Sequence, residues 1–204
     1  MSARGKFITF EGIDGAGKST QIAAVRAFLE ERGIEVVLTR EPGGTPLAEK
    51  IRGMLLHEGM GATAETLLFF AARADHIERV IAPALCRGAW VLSDRFTDAT
   101  YAYQVGGKGY PGACVEAIER IVQGELQPDH TVLFDIEPEE AARRLASARE
   151  PDRFESEGVR FFTNVRNAYL ERARRSAGRF FIVSTMQPPE GVRQELLKEV
   201  GSWL

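Results

Sequence analysis

The sequence predicts an α/β fold, a five-stranded parallel sheet flanked by helices, and three observations lead there. Five short β-rich runs alternate with segments whose apolar residues recur at helical spacing. A glycine-rich turn follows the first run directly and opens the first helical segment. The length, 204 residues, suits one α/β domain with a sizeable core and is short for two.

The first run is Phe7-Ile8-Thr9-Phe10. Ile22, Val25 and Leu29 then mark one helical face, and Gly33 closes that segment. Ile34–Thr39 reads as the second strand. Pro42-Gly43-Gly44 reads as a loop before a helix carrying Leu47, Ile51 and Leu55. One long helical stretch is expected from about Ala64 to Cys86, followed by a third strand at Trp90–Asp94. Helical segments around Tyr101 and over Val115–Val122 precede a fourth strand, Thr131–Ile136. Phe180–Val183 is the fifth, and a closing helix aligns Val192, Leu196 and Val200. This alternation implies parallel pairing with helices on both faces, and such sheets bind ligands beyond the carboxyl ends of their strands. No repeat or linker interrupts it, so residues 1–204 read as a single domain. Ala148–Gly158 is charged, contains Pro151 and lacks an apolar period, and so reads as a loop suited to act as a lid.

Charge and cysteine usage exclude several classes. Lys plus Arg is 26 and Asp plus Glu is 29, for a net charge of −3, which is not the balance of a general nucleic-acid binder. The two cysteines, Cys86 and Cys114, have no metal-ligand spacing and are expected to be reduced packing residues in a cytoplasmic protein. No apolar run reaches the length of a membrane span. Met1–Lys6 runs into a strand pattern without the apolar core of a secretion signal.

The strongest chemical signal is Gly12-Ile13-Asp14-Gly15-Ala16-Gly17-Lys18-Ser19, followed by Thr20. It matches the P-loop pattern in full and lies between a strand and a helix, where that pattern requires it. The expected fold is therefore the three-layer P-loop NTPase arrangement. The loop's backbone N–H groups turn inward to phosphate oxygens, and the helix N-terminus adds partial positive charge. Lys18 is placed for the β- and γ-phosphates of ATP, and Ser19 for Mg²⁺. Asp94, ending the third strand, is a second candidate for the metal.

A P-loop alone serves GTPases, ATPases and kinases alike. The Asn-Lys-x-Asp strip of a guanine-specific switch is missing. A kinase needs cations near its acceptor phosphate and a lid against water. Arg40, Arg52, Arg73 and Arg95 lie at strand ends or on facing helices, and Arg149 and Arg153 flank Pro151. The three histidines, His57, His76 and His130, show no ligand spacing and are read as non-catalytic. Asp98 is a candidate helix cap.

Several segments together resemble the bacterial thymidylate kinases. They are Phe10–Thr20, Thr39-Arg40-Glu41-Pro42-Gly43-Gly44-Thr45, Leu67–Arg73, Asp94-Arg95-Phe96 through Tyr103-Gln104, and Pro128-Asp129. The resemblance spans nearly the whole chain. It implies ATP as donor, dTMP as acceptor, Mg²⁺ and a homodimer. Carried over by position, it implies that Phe69 stacks on thymine and that Arg73 bonds its carbonyl edge. Arg95 and Arg52 hold the acceptor 5′-phosphate, and Asp14 lies near the sugar 3′-hydroxyl and the reacting phosphates. Thr100 and Gln104 contact the base, Tyr103 crowds the 2′ position, and Glu41 orders the acceptor-side loop. Some members carry an arginine within the P-loop. Here Gly15-Ala16 stands there, so the resemblance points to the subtype with a basic lid and to Arg149 and Arg153 as its cations.

Two positions depart from the pattern. Phe96 stands where a Tyr or His is common, and Ala99 where some members place a Ser, which shifts base recognition toward Thr100 and Arg73. Read from residues alone, Phe69 beside Phe70 is equally a pair of core residues. Two other functions stay open at this point, a kinase for a different small acceptor and a nucleotide-binding switch without transfer.

Overall fold

The computed structural model of the chain describes residues 4–146, 154, 157–176 and 178–204. Its sheet has five strands: β1 (Phe7–Glu11), β2 (Val36–Arg40), β3 (Trp90–Asp94), β4 (His130–Asp135) and β5 (Phe180–Ser184). Every pairing is parallel and the order is β2-β3-β1-β4-β5. The fold class is the one expected. β1 is central and all five of its residues are buried, the polar Thr9 and Glu11 among them. β2, at an edge, is half-exposed.

The helices are α1 (Lys18–Glu30), α2 (Pro46–His57), α3 (Ala62–His76), α4 (Ala82–Cys86), α5 (Thr97–Thr100), α6 (Gly112–Gln123), α7 (Pro138–Ala146), α8 (Val159–Arg175) and α9 (Pro189–Gly201). Successive residues of a strand face opposite sides of the sheet. Ile8 and Phe10 thus enter the larger core with Val25 and Leu29 of α1, Val165 and Tyr169 of α8, and Leu196 of α9. Phe7 enters a smaller core with Ile81, Leu85, Val91 and Phe96. Val192, Leu196 and Val200 are all buried, as their spacing predicts.

The stretch expected as one helix from Ala64 to Cys86 is broken by a π-helical turn, Ile77–Ile81, between α3 and α4. Pro83 supplies the reason. It has no N–H to give back to the preceding turn, its ring would crowd the carbonyl four residues earlier, and a wider turn relieves both. A second π-helical stretch, Tyr101–Gly107, continues α5. Its two last residues let α8 come close. A Cβ on Gly106 would lie 2.4 Å from Ala168 Cβ, and one on Gly107 would lie 2.4 Å from Phe161 Cε2.

Two expectations about single residues fail. Cys86 and Cys114 are exposed, because Leu85 and Val115 beside them take the inward positions. Asp98 caps no helix. It is buried in an ion cluster with Arg172 at 2.7 Å and Arg179 at 2.8 Å, which ties α5 to α8 and to the start of β5. Burial would raise this carboxyl, but the two guanidinium groups hold it below its usual range. Among the described residues no helix is long and apolar enough to cross a membrane.

Candidate active site

The site forms where the carboxyl ends of β1 and β3 lie side by side, with Phe10 paired to Asp94. β1 runs into the glycine-rich loop, and the loop runs into α1. Gly12 has a φ of 135°, and a Cβ there would stand 2.5 Å from the Phe134 carbonyl oxygen of β4. No other residue type fits that turn. Lys18 begins α1 and folds back over the loop, its Nζ donating to the Gly12 and Ile13 carbonyls at 3.2 and 3.4 Å. Burial and the neighbouring Arg95 lower its pKa, while Asp94, Asp14 and Glu11 work against them.

An open cavity of about 1300 Å³ lies on this loop, lined by Asp14, Gly15, Gly17, Lys18, Ser19 and Thr20, with Asp94 and Arg95 on the sheet side. Ile13 and Ala16 turn into the core and Gly12 lies beneath the loop, so these three would meet a ligand only through backbone. Asp94 Oδ1 is buried without a hydrogen-bond partner among the described residues. A buried carboxylate oxygen left open beside the Ser19 hydroxyl fits a divalent cation that keeps water and phosphate oxygens as its other ligands.

A second cavity, about 580 Å³, adjoins the first. All nine expected acceptor-site residues line it: Asp14, Glu41, Arg52, Phe69, Arg73, Arg95, Thr100, Tyr103 and Gln104. Phe154, Pro42, Phe96 and Ala99 complete the wall. Phe154 was not anticipated, since nothing in its local sequence marks it. Arg73 is 2% exposed, and it donates through Nε to Glu41 at 2.7 Å and through Nη2 to Thr100 at 3.1 Å. Its Nη1 is buried without a partner among the described residues. A buried guanidinium donor left open in the wall of a pocket suits a carbonyl oxygen. Gln104 donates to Glu65, which also pairs with Lys108 at 2.7 Å. Arg52 donates to the Pro42 carbonyl at 2.9 Å. Arg40 stands apart from this pocket, paired with Glu49 at 2.9 Å on the donor side.

Asp14, Glu41, Arg52 and Arg95 line both cavities. At their meeting point Arg95 Nη2 donates to Asp14 Oδ1 at 2.8 Å and to Tyr103 Oη at 3.1 Å, and Tyr103 Oη donates to Asp14 Oδ2 at 3.1 Å. Burial alone would raise the Asp14 carboxyl, but Arg95 and Lys18 overcome it and bring it to about 2. Asp14 is therefore an anion and Arg95 a cation across the neutral range. Beneath them Glu11, which sequence reasoning did not single out, is pushed up to about 8 by burial and by the nearby Asp98. His76 is enclosed, its ring nitrogens 2.9 Å from Glu41 and 2.6 Å from Thr39, in a supporting position. Arg149 and Arg153, and nearly all of the expected lid, lie outside the described residues.

The sequence matches the family profile of thymidylate kinase over residues 10–196. The chain belongs to the thymidylate kinase family. Within it, the chain is 57% identical over 194 residues to the thymidylate kinase of Methylobacillus flagellatus, covering 95% of this chain and 96% of that one. It is 56% identical over 201 residues to the thymidylate kinase of Cupriavidus pinatubonensis, covering 98% and 99%. A crystal structure of thymidylate kinase from Ehrlichia chaffeensis superposes with a TM-score of 0.79 at 32% identity, covering 97% of this chain and 99% of that one. Membership makes the chain an ATP-dependent nucleoside monophosphate kinase, a phosphotransferase.

Proposed function

We propose that the two adjoining cavities hold ATP and dTMP, and that the chain moves the γ-phosphoryl group of ATP onto the 5′-phosphate of dTMP, giving ADP and dTDP. The single observation that carries the residue roles is the junction. A phosphate cradle and an aromatic-walled pocket with an open guanidinium donor meet at Arg95 and Asp14.

The acceptor oxygen is already ionised at neutral pH, so the chain has little proton work to do. Its task is to bring two mutually repelling anions into line. Lys18 and the loop N–H groups hold the donor phosphates, while Arg95 and Arg52 hold the acceptor phosphate. Phe69 provides the stacking face, Arg73, Thr100 and Gln104 the polar contacts to the base, and Tyr103 the crowding at the 2′ position. Asp14 fixes Arg95 and faces the 3′ side of the sugar, and Glu41 fixes Arg73. Ser19 and Asp94 would hold Mg²⁺, which neutralises charge on the donor phosphates. Arg149 and Arg153 are proposed to compensate charge on the leaving oxygen from a lid over residues 148–158 of this single domain.

A cytoplasmic homodimer accompanies this reading. Leu47 and Met54 on α2 and Leu67 on α3 are 50%, 40% and 50% exposed on two helices packed together, an apolar surface that a second copy would cover. Light scattering at the monomer mass would sink that part. The reaction itself is tested by coupled ADP release from Mg-ATP with dTMP, dUMP, dCMP, dGMP and AMP as separate acceptors. Selectivity for dTMP is expected. Turnover with another acceptor instead would overturn the pocket assignments, and no turnover with any would leave a nucleotide-binding module.

A further inference from the structure

Arg95 is held in a way that its role as a phosphate ligand does not by itself require. It is the only non-glycine residue with positive φ among the described residues, at 72°. A backbone in that region costs free energy and persists where its surroundings over-determine it. Here they do. Arg95 N donates to the Phe10 carbonyl at 3.0 Å, and its own carbonyl accepts from Ser93 Oγ at 2.8 Å. The next N–H, that of Phe96, donates to Glu11 Oε1 at 2.7 Å.

The side chain is anchored from the far end of the fold. Tyr169 lies on α8, is 1% exposed, and donates from its hydroxyl to Glu11 Oε2 at 2.8 Å. The same hydroxyl accepts from Arg95 Nη1 at 3.1 Å. Among the described residues Nη1 has one other acceptor, the Gly12 carbonyl at 3.0 Å. Glu11 thus touches both the backbone after Arg95 and, through Tyr169, its guanidinium.

We infer that the Tyr169 hydroxyl, bridging Glu11 and Arg95, is a positioning group that sets the Arg95 guanidinium at the junction of the two cavities. The inference rests on the phosphoryl-transfer reading above. A phenol suits this task better than a second carboxylate. It accepts the Nη1 hydrogen bond without cancelling the positive charge that the acceptor phosphate needs, and Asp14 already takes one carboxylate contact on Nη2. Without the hydroxyl, Nη1 would keep only the Gly12 carbonyl.

The test is a double-mutant cycle on the full chain with Tyr169→Phe and Arg95→Ala, reading kcat and KM for dTMP and KM for ATP. Phe keeps the ring packing and removes only the hydroxyl. Tyr169→Phe is expected to raise the dTMP KM about tenfold or more, the scale of one hydrogen bond to a charged group, with the ATP KM within about twofold. In the Arg95→Ala background the same change should alter dTMP kcat/KM by less than about twofold, because the group it acts through is gone. A role in packing alone would give the same penalty in both backgrounds, and that result overturns the inference. An unchanged dTMP KM in Tyr169→Phe overturns it as well. If Tyr169→Phe does not fold, Glu11→Gln replaces it in the cycle, assayed above about pH 8, where the wild-type carboxyl is ionised and accepts from Tyr169. There the amide still accepts from Phe96 but presents N–H to Tyr169 and competes with Arg95 for the phenol oxygen, so the same non-additivity is expected. Failure of the underlying reading would show in the unsubstituted chain, as no dTMP-stimulated ADP release, and would remove the inference with it.

Discussion

Arg73 Nε donates to Glu41 Oε2 at 2.7 Å in a pair whose side chains are 2% and 5% exposed. The pair joins α3 to the loop after β2 and holds Arg73 in the wall of the second cavity. Removing one partner leaves a buried charge uncompensated. Arg73→Ala and Glu41→Ala should each lower unfolding free energy by about 3–5 kcal/mol in a urea titration. Losses below about 1 kcal/mol in both would mean that the pair does not act as a buried unit. Arg73→Ala should also weaken dTMP binding more than ATP binding.

Arg95→Ala removes the cation at the junction. The dTMP KM should rise by about tenfold to a hundredfold, with a smaller effect on the ATP KM. Unchanged dTMP kinetics would take Arg95 out of the site.

Gly12→Ala puts a Cβ 2.5 Å from the Phe134 carbonyl oxygen at a φ of 135°. Both the clash and the strain act on the loop that carries Lys18. ATP affinity should fall and stability should drop by about 1–3 kcal/mol, read by calorimetric titration and thermal melting. Wild-type ATP affinity in this variant would show that the cradle geometry does not matter for the donor.

Stability should depend on pH through two carboxyls of opposite sign. Glu11 titrates at about 8 against an ordinary 4.5, raised by burial and then by Asp98, with Arg95, Tyr169 and the Phe96 N–H opposing. Across that window the folded chain keeps a proton that the unfolded chain has lost, so this group makes stability fall as pH rises from about 4.5 to about 8. The neutral carboxyl still accepts from Phe96 through Oε1 and meets Tyr169 through Oε2. Asp14, at about 2 against 3.8, contributes stability that is present above 3.8 and lost as pH falls through about 2. Melting temperature measured against pH should show the Glu11 slope in the wild type and a flatter one in Glu11→Gln. The same slope in both would clear Glu11 of the effect.

Arg153→Ala tests the lid proposal. It should lower kcat more than it weakens dTMP or ATP binding, because charge on the leaving oxygen develops only in the transition state. A change confined to KM would contradict that role.

The donor half of the site was legible because its information is contiguous. Gly12 to Thr20 carry the turn, the cation and the hydroxyl in one segment, and a strand before and a helix after fix how they point. The acceptor side is assembled from five separate places in the chain: Asp14 in the glycine-rich loop, Glu41, Arg52 on α2, Phe69 to Arg73, and Arg95 to Gln104. No local pattern joins these, and they could be brought together from sequence only through resemblance to the thymidylate kinases. Periodicity located α1, α2, α6 and α9, but not α7 and α8 between the fourth and fifth strands, and not the irregularities of the others. The π-helical turns at Ile77–Ile81 and Tyr101–Gly107 answer to Pro83 and to the close approach of α8.

The sequence by itself thus determined the parallel α/β architecture, the phosphate cradle and the class of chemistry, since each depends on composition, period or a short motif. Only the tertiary structure decided that Glu11 and Tyr169, 158 positions apart, share a hydrogen bond under Arg95. It alone decided that Asp98 answers Arg172 and Arg179, that both cysteines face outward, and that Arg73 keeps a donor without a partner among the described residues. The physical reason is common to all four. Burial and partner choice for a polar side chain depend on which distant element packs against it, and its protonation and reach follow from that packing rather than from its neighbours in the chain.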